Sequence, residues 1–534
     1  MRAVAHNTDK SGIPHGSSRL VSRRSFLTGV TASGLLLAGP AFWQQPAKAG
    51  SAPAEQIHLQ FGADPASDMT VSWVTPTSVS RPRVVIGTAT DGFGRTAGAE
   101  TRTYTDSING VETITQHAPV RGLRPDTSYV YQVLSDGASP VNGTFRTAPK
   151  GRAAFRFTSF GDLATGNPAW SKSSLNAIPA IAQVEQFDPV VHLLNGDLSY
   201  ANSNPTNQPG TWADFGNNTQ VSAAFRPWMP TLGNHEIEAG NGTLGYNSYH
   251  TRYTLPSNQS NGFNGNWYSY QVGSVLFIAL DNNDVVYENA GGAYYGNPSE
   301  GLYIRGYSSG EQEKWLERTL REASVNPTVD WIIAYMHQPA LSTSSTGAGD
   351  LGIRQSWFPL FYKYGVDLVL AGHEHDYERS YAVHGTDAGT YLRPTVVSTD
   401  LTEVDTEKGL VHLVLGTGGT KGHDDVFTGS NTEYGDPVPA YVFTQPAAFG
   451  ANPDGSETAY YSAVRDPDTT RPWGIGVFDV DPGRFAGDKT SITMTYYHTP
   501  TATSSNLYPA PVVYDTVMFT RTRRDGRLGN RGAA

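Results

Sequence analysis

The sequence predicts a β-sandwich followed by a larger α/β layered domain, and three observations carry that prediction. Short alternating strand-like segments fill residues 56–149, apolar strands alternate with amphipathic helices after residue 150, and polar residues gather at the ends of those later strands. The 534-residue length leaves room for more than one domain. With 38% hydrophobic and only 16% charged residues, and with 57 Gly and 34 Pro, the composition suits a folded chain rich in strands and turns. Cysteine is absent, which excludes disulfides, thiolate metal ligands and cysteine nucleophiles. Any metal site must therefore use His, carboxylate, amide or phenol.

Residues 1–49 read as an export leader. Arg2, Lys10 and Arg19 precede Ser22-Arg23-Arg24-Ser25-Phe26-Leu27, a weakly apolar run follows from Val30 to Trp43, and Ala47-Lys48-Ala49 offers a cleavage site. The run falls short of the about 20 apolar residues of a membrane span, so no stable membrane anchor is expected. The pattern resembles a twin-arginine signal. That resemblance implies recognition by the twin-arginine export machinery, secretion of an already folded protein, and in many such proteins a cofactor loaded beforehand. Removing residues 1–49 takes away six basic residues and one Asp and moves the net charge from −11 to −16. A chain that acidic is not expected to bind nucleic acid.

The next element is the sandwich, expected over 50–149. Its strand-like segments are Gln56–Phe61, Met69–Val74, Arg83–Ile86, Ser128–Val133 and Gly143–Thr147, separated by turn residues at sandwich spacing. Trp73 is its expected core residue. The segment resembles a fibronectin type III-like domain, with Leu123-Arg124-Pro125-Asp126-Thr127 ahead of Tyr129 and Tyr131 similar to that fold's corner between two strands. Ala148-Pro149-Lys150-Gly151 is the join.

Beyond the join, strand-like runs fall at Phe155–Phe160, Val190–Leu194, Val275–Leu280, Trp331–Met336, Asp367–Ala371 and Leu410–Leu415. Helical spacing over Ser174–Phe187 puts Leu175, Ile178, Ile181, Ala182 and Val184 on one side. A second helix is expected over Ser309–Ala323, opened by a Ser309/Gln312 capping box. A third is expected over Arg354–Tyr364, closed by Gly365. The stretches 201–222, 284–308 and 420–472 show no period and read as surface insertions around a site.

The chemistry lies at strand ends. The first run ends in Gly161-Asp162, the second in Asn195-Gly196-Asp197-Leu198-Ser199-Tyr200, the fourth in His337 and the fifth in Gly372-His373-Glu374-His375, while Gly233-Asn234-His235-Glu236 follows Pro230-Thr231-Leu232. Open α/β sheets build sites at strand carboxyl ends, so these elements should converge. A Gly-Asp after a strand is by itself most often a turn, and a lone His most often a hydrogen-bonded core residue. Five such elements in order make an oxygen- and imidazole-rich set suited to two metal ions. His192 and His412, inside apolar strands, read as structural. Gly416-Thr417-Gly418-Gly419-Thr420-Lys421 matches no nucleotide-binding loop and reads as a loop near the site.

These ordered motifs resemble those of the metallophosphoesterase superfamily and, within it, the purple acid phosphatases, over roughly residues 55–520. The resemblance implies a metallophosphoesterase-type α/β/β/α sandwich over 150–525, with a closing β segment at Gly474–Asp481, Ser491–His498 and Tyr514–Phe519. It assigns one metal to Asp162, Asp197, Tyr200 and His375 and the other to Asp197, Asn234, His337 and His373, with Asp197 bridging. Residue 164 is Ala where most of the superfamily has His, and Tyr200 can replace that ligand. A phenol binds as an anion only beside a strongly acidic cation, which favours Fe(III) in the first position, with a divalent ion (Fe, Zn or Mn) in the second.

The implied activity is hydrolysis of phosphate monoesters by in-line attack of a metal-bound hydroxide. His235 resembles the residue that contacts phosphate, beside Asn234, and helps the alcohol leave. Plant members carry a His pair shortly after the lone His, whereas here His337 is followed by Gln338-Pro339-Ala340-Leu341-Ser342-Thr343. Two alternatives stay open: a phosphodiesterase or phospholipase on the same site, and an inactive protein that uses the sandwich for attachment. The complete ligand set argues against the latter. Exported alkaline phosphodiesterases with a similar leader use a Cys ligand, which this chain lacks.

Overall fold

The computed structural model describes residues 53–288, 304–343, 349–386, 389, 392–421, 439–443, 456–465 and 473–526. The proposed leader lies outside the described residues, as do parts of the stretches 284–308 and 420–472. No helix among the described residues is long and apolar enough to cross a membrane.

The chain opens with a β-sandwich of two four-stranded antiparallel sheets, one holding Glu55–Phe61, Met69–Val74, Glu112–Val120 and Glu100–Thr105, the other Gly92–Gly98, Arg83–Thr88, Ser128–Leu134 and Val141–Arg146. Trp73 is buried in its core, and the Arg124 amide donates to the Tyr129 hydroxyl at 2.8 Å, closing the expected corner. Three strands escaped the sequence reading. Gly92–Gly98 and Glu100–Thr105 are almost wholly exposed, so they carry no apolar alternation, and Glu112–Val120 is rich in Thr and Gln.

Two seven-stranded sheets face each other behind it. One runs in the order Trp228–Pro230, Val191–Leu194, Phe155–Phe160, Gly474–Asp481, Lys489–His498, Val512–Thr522, Glu403–Asp405. The other runs Tyr268–Val272, Val275–Ala279, Trp331–Tyr335, Leu368–Ala371, Val411–Leu415, Tyr377–Ser380, Ser462–Arg465. Phe157 joins the layers: its ring stacks on Phe478 of its own sheet at 4.5 Å and meets Phe277 of the other edge-on at 5.0 Å. Ala177–Phe187 and Gln208–Ala223 cover the outer face of the first sheet, and Glu311–Val325 and Phe358–Tyr364 that of the second. This is the expected α/β/β/α arrangement.

Several local expectations need correction. Residues 201–222 are no surface insertion: two short 3₁₀ turns lead into the helix Gln208–Ala223, whose Gln, Gly and Asn content hides its period. The Ser309/Gln312 capping box does not form. Gly310 stands at the helix start with φ 78°, and Gln312 reaches across to Asp281, accepting from its N–H at 2.9 Å and donating to its carbonyl at 2.8 Å. The helix expected over Arg354–Tyr364 is two, Leu351–Ser356 and Phe358–Tyr364. Pro359 lacks the amide that would continue the ladder, so the chain breaks at Trp357 before Gly365 closes it with φ 71°.

The sandwich braces the segment that leads out of the site. Gln220 Oε1 accepts from Ile57 N at 2.8 Å, Tyr131 Oη donates to the Ala224 carbonyl at 2.7 Å, and the His58 and His117 rings meet the Arg252 and Thr251 carbonyls at 2.8 and 2.9 Å.

Candidate metal centre

Parallel strands of both sheets end at one rim. From the first sheet come Asp162, Asp197 and Asn234, and from the second His337, His373 and His375, with Gly416–Lys421 following Val411–Leu415. Asp162, Asp197, Tyr200 and His373 all hold left-handed backbone, with φ 59°, 50°, 58° and 72°. Four non-glycine residues in that region at one place mark strain that the surrounding fold sustains. Close approach also dictates glycines. A Cβ on Gly233 would lie 2.2 Å from Asp197 Oδ1, and one on Gly372 2.5 Å from Asp162 Oδ2.

The eight residues picked from the sequence gather into two groups and one neighbour. In the first group the Tyr200 hydroxyl lies 2.9 Å from Asp162 Oδ1 and 3.0 Å from His375 Nε2. His375 Nδ1 meets the Lys421 carbonyl at 3.1 Å, so it donates there and turns Nε2 to the tyrosine. Asp162 Oδ2 also accepts the His373 amide at 2.8 Å. Burial first, then the charges of Asp162 and Asp197, push the Tyr200 phenol well above its ordinary range.

In the second group His337 Nε2 lies 3.0 Å from Asn234 Oδ1 and 3.1 Å from Asp197 Oδ1, and His373 Nδ1 lies 3.1 Å from the same Asn234 oxygen and 3.3 Å from His337 Nε2. His337 Nδ1 donates to the Asn195 carbonyl at 2.8 Å, which leaves its Nε2 a lone pair when the ring is neutral. Burial opposes charge on both rings. Even so, Asp197 and Asp162 lift His337 to about 9, and Glu288 lifts His373 to about 10. Asp197 is buried too, yet His337 and His235 hold it well below the carboxylate range.

His235 stands beside the second group. Its amide donates to Asp197 Oδ1 at 2.8 Å and its Nδ1 donates to Asn202 Oδ1 at 2.6 Å, while Nε2 lies 3.9 Å from Asp197 Oδ2. Asn202 is itself oriented by donating to the Ile237 carbonyl at 3.3 Å. Burial pushes the His235 ring down to about 4.

Sequence reasoning missed three contributors. Glu236 was visible in its motif, but its work was not: its carboxylate accepts from the amides of Asp197, Leu198 and Gly233 at 2.9, 2.8 and 2.8 Å, tying two site loops together. Burial and then Asp197 push Glu236 up to about 8 against the Leu198 and Gly233 amides and the charge of His337. Asn202 and Glu288 lie on stretches without a period and carried no signal. His192 and His412 are buried in their strands, bonded to Thr158 and to the Ala340 amide.

Known proteins match this architecture. Residues 54–147 match the family model of the purple acid phosphatase N-terminal domain, and residues 155–377 match that of the calcineurin-like phosphoesterases. An uncharacterized protein of Mycobacterium tuberculosis is 43% identical over 511 residues, spanning 89% of this chain and 92% of its own. A probable purple acid phosphatase of Arabidopsis thaliana is 30% identical over 409 residues, spanning 74% of this chain and 80% of its own. The solved purple acid phosphatase from yellow lupin seeds superposes with a TM-score of 0.61 at 19% identity, covering 89% of this chain and 76% of that one. With two family models in tandem and a relative at that identity and coverage, the chain belongs to the purple acid phosphatases and is a phosphoester hydrolase of the metallophosphoesterase fold.

Proposed function

We propose that this chain is an exported acid phosphatase acting on phosphate monoesters, with Fe(III) held by Asp162, Asp197, Tyr200 and His375 and a divalent ion (Fe, Zn or Mn) held by Asp197, Asn234, His337 and His373. One observation carries the reading. His337 Nε2, His373 Nδ1, Asn234 Oδ1 and Asp197 Oδ1 meet at 3.0–3.3 Å, and all four are acceptors when the rings are neutral with their protons on His337 Nδ1 and His373 Nε2. Acceptors so placed repel unless positive charge stands among them. The high affinity of both rings for protons supplies it in the free protein, and a cation would supply it in their stead.

The first group fits a different ion. Tyr200 keeps its proton far above neutral pH, so only a strongly acidic cation would displace it, which supports Fe(III) there. When bound, the two cations supply Lewis acidity for phosphoryl oxygens and acidify water. Asp197 lies 3.1 Å from His337 Nε2 and its charge acts on the Tyr200 phenol, which supports its sharing between both ions.

The chain's own residues do the rest. Asn202 fixes His235 through Nδ1 and so leaves Nε2 to carry the exchangeable proton beside Asp197. A ring that takes up this proton only in acid supports leaving-group protonation at acid pH. Export rests on the Arg23-Arg24 and Phe26-Leu27 pattern. The test is turnover of an aryl phosphate monoester against its bis-ester, with elemental analysis of the purified protein. Faster turnover of the bis-ester would make the chain a phosphodiesterase, and full activity without metal would sink the reading.

A further inference from the structure

Glu288 is held at both ends beside the second group. Its chain segment leaves Val275–Ala279 through a short turn at Asn282–Asp284 and buries Val286. The amides of Tyr287 and Glu288 then both donate to Asp350 Oδ2, at 2.8 and 3.1 Å. The other Asp350 oxygen accepts from Gly352 N at 2.6 Å, and a Cβ on Gly352 would lie 2.2 Å from the Val285 carbonyl, so the two segments lock closely. The Glu288 side chain points the other way. Its Oε1 lies 3.3 Å from His373 Nε2 and its Oε2 accepts from Gln338 Nε2 at 3.4 Å. Gln338 is fixed in turn by Asn282, whose Nδ2 donates to its carbonyl at 2.8 Å, and by its own Nε2 donating to Asn283 Oδ1 at 3.1 Å.

The two histidines of the second group present opposite nitrogens. His337 offers Nε2 because Nδ1 is committed to the Asn195 carbonyl. His373 offers Nδ1, and the only carboxylate that meets its Nε2 among the described residues is Glu288. A neutral imidazole has one donor and one acceptor, so a proton on Nε2 facing Glu288 leaves the lone pair on Nδ1, facing Asn234 and His337. Without that partner the competing tautomer, with the proton on Nδ1 donating to Asn234 Oδ1, is favoured instead.

We propose that Glu288 is a positioning residue that fixes the tautomer and orientation of His373 and thereby sets the affinity of the second position for its divalent ion. The proposal rests on the two-metal reading of the site. Carboxylate partners of metal-binding histidines also raise the basicity of the ring, and their loss typically costs 10- to 100-fold in metal affinity.

The test is equilibrium dialysis of iron-loaded full-length protein against graded Zn(II), with iron and zinc read by elemental analysis, for wild type, Glu288→Ala and Glu288→Gln. The expected result is a 10- to 100-fold weaker zinc affinity in Glu288→Ala with iron content and thermal midpoint retained. Glu288→Gln, which keeps an acceptor for Nε2 but not the charge, should fall between. Zinc affinity equal to wild type in both variants would overturn the role of Glu288, as would loss of iron and zinc together in both. A wild-type protein that binds one iron per chain and takes up no second iron, Zn(II) or Mn(II) would overturn the two-metal reading itself, and the role of Glu288 with it.

Discussion

The rings of Tyr200 and His235 pack against each other with centroids 4.3 Å apart, so the proposed ligand of the first metal is also a wall for the proposed proton donor. Tyr200→Phe keeps that wall and removes only the oxygen. It should abolish the visible charge-transfer band expected of a phenolate on Fe(III) with little loss of thermal stability. Tyr200→Ala should lose the band and also release His235. An absorption spectrum with an iron assay checks this: a band that survives in Tyr200→Phe, or an iron-replete wild type without one, means that Tyr200 is not the ligand.

Asp197 and His235 should separate binding from turnover. Asp197→Ala removes the carboxylate proposed to be shared by both metals, so metal content and activity should fall together. His235→Ala should keep its metals and lose roughly 10²- to 10⁴-fold in kcat, the range for a lost general acid. Metal content measured beside kcat distinguishes the two, and full activity in either variant contradicts the assignment.

Glu236 supports the backbone rather than the substrate. Glu236→Ala strands three buried amides at about 1–3 kcal/mol each, so a drop of several degrees in the thermal midpoint is expected even in metal-free protein. A metal-free midpoint equal to wild type would show that water replaces the carboxylate without loss.

His412 predicts acid sensitivity away from the metals. Burial, with Arg354 adding to it, lowers this ring to about 3, so it stays neutral in the folded protein while the unfolded chain takes up a proton below about 6.5. Its folded pKa is depressed, hence stability is full above 6.5 and falls as the pH drops towards 3, by about 2 kcal/mol at pH 5. His412→Gln keeps an acceptor within reach of the Ala340 amide and should remove that share of the loss, read as a smaller difference between urea midpoints at pH 7 and pH 5.

Export has its own test. Replacing Arg23 and Arg24 by Lys should leave precursor in the cytoplasm; unchanged secretion of active enzyme would point to another route.

What could be read from the sequence followed physical signal strength. Strands such as Trp331–Tyr335, buried along their whole length, advertise themselves as apolar runs, and the polar residue that ends each run stands out against them. Asp162, Asp197, His337 and His373 were therefore visible. Glu288 and Asn202 were not, because each acts through contacts with residues distant in sequence and sits among residues with no period. The helix Gln208–Ala223 hid for a related reason: its burial is divided among the first sheet, the sandwich and neighbouring turns, which its own composition does not announce. The false capping box shows the converse, since Gln312 fits the local motif yet is spent on Asp281.

The strand Phe155–Phe160 pairs on one side with Gly474–Asp481, and the Arg156–Asp479 ion pair across that seam links residues 323 positions apart. At ribosomal speeds of about 5–20 residues per second, the first strand waits roughly 15–65 s for its neighbour to be made. The sandwich, whose strands all lie within one stretch, can fold during that interval, whereas the catalytic sheet keeps an open edge until its final hairpin arrives. Chain completion therefore sets the earliest moment at which the first sheet can close, and a nascent chain halted before Gly474 should be caught by chaperones with its front domain already protected from protease.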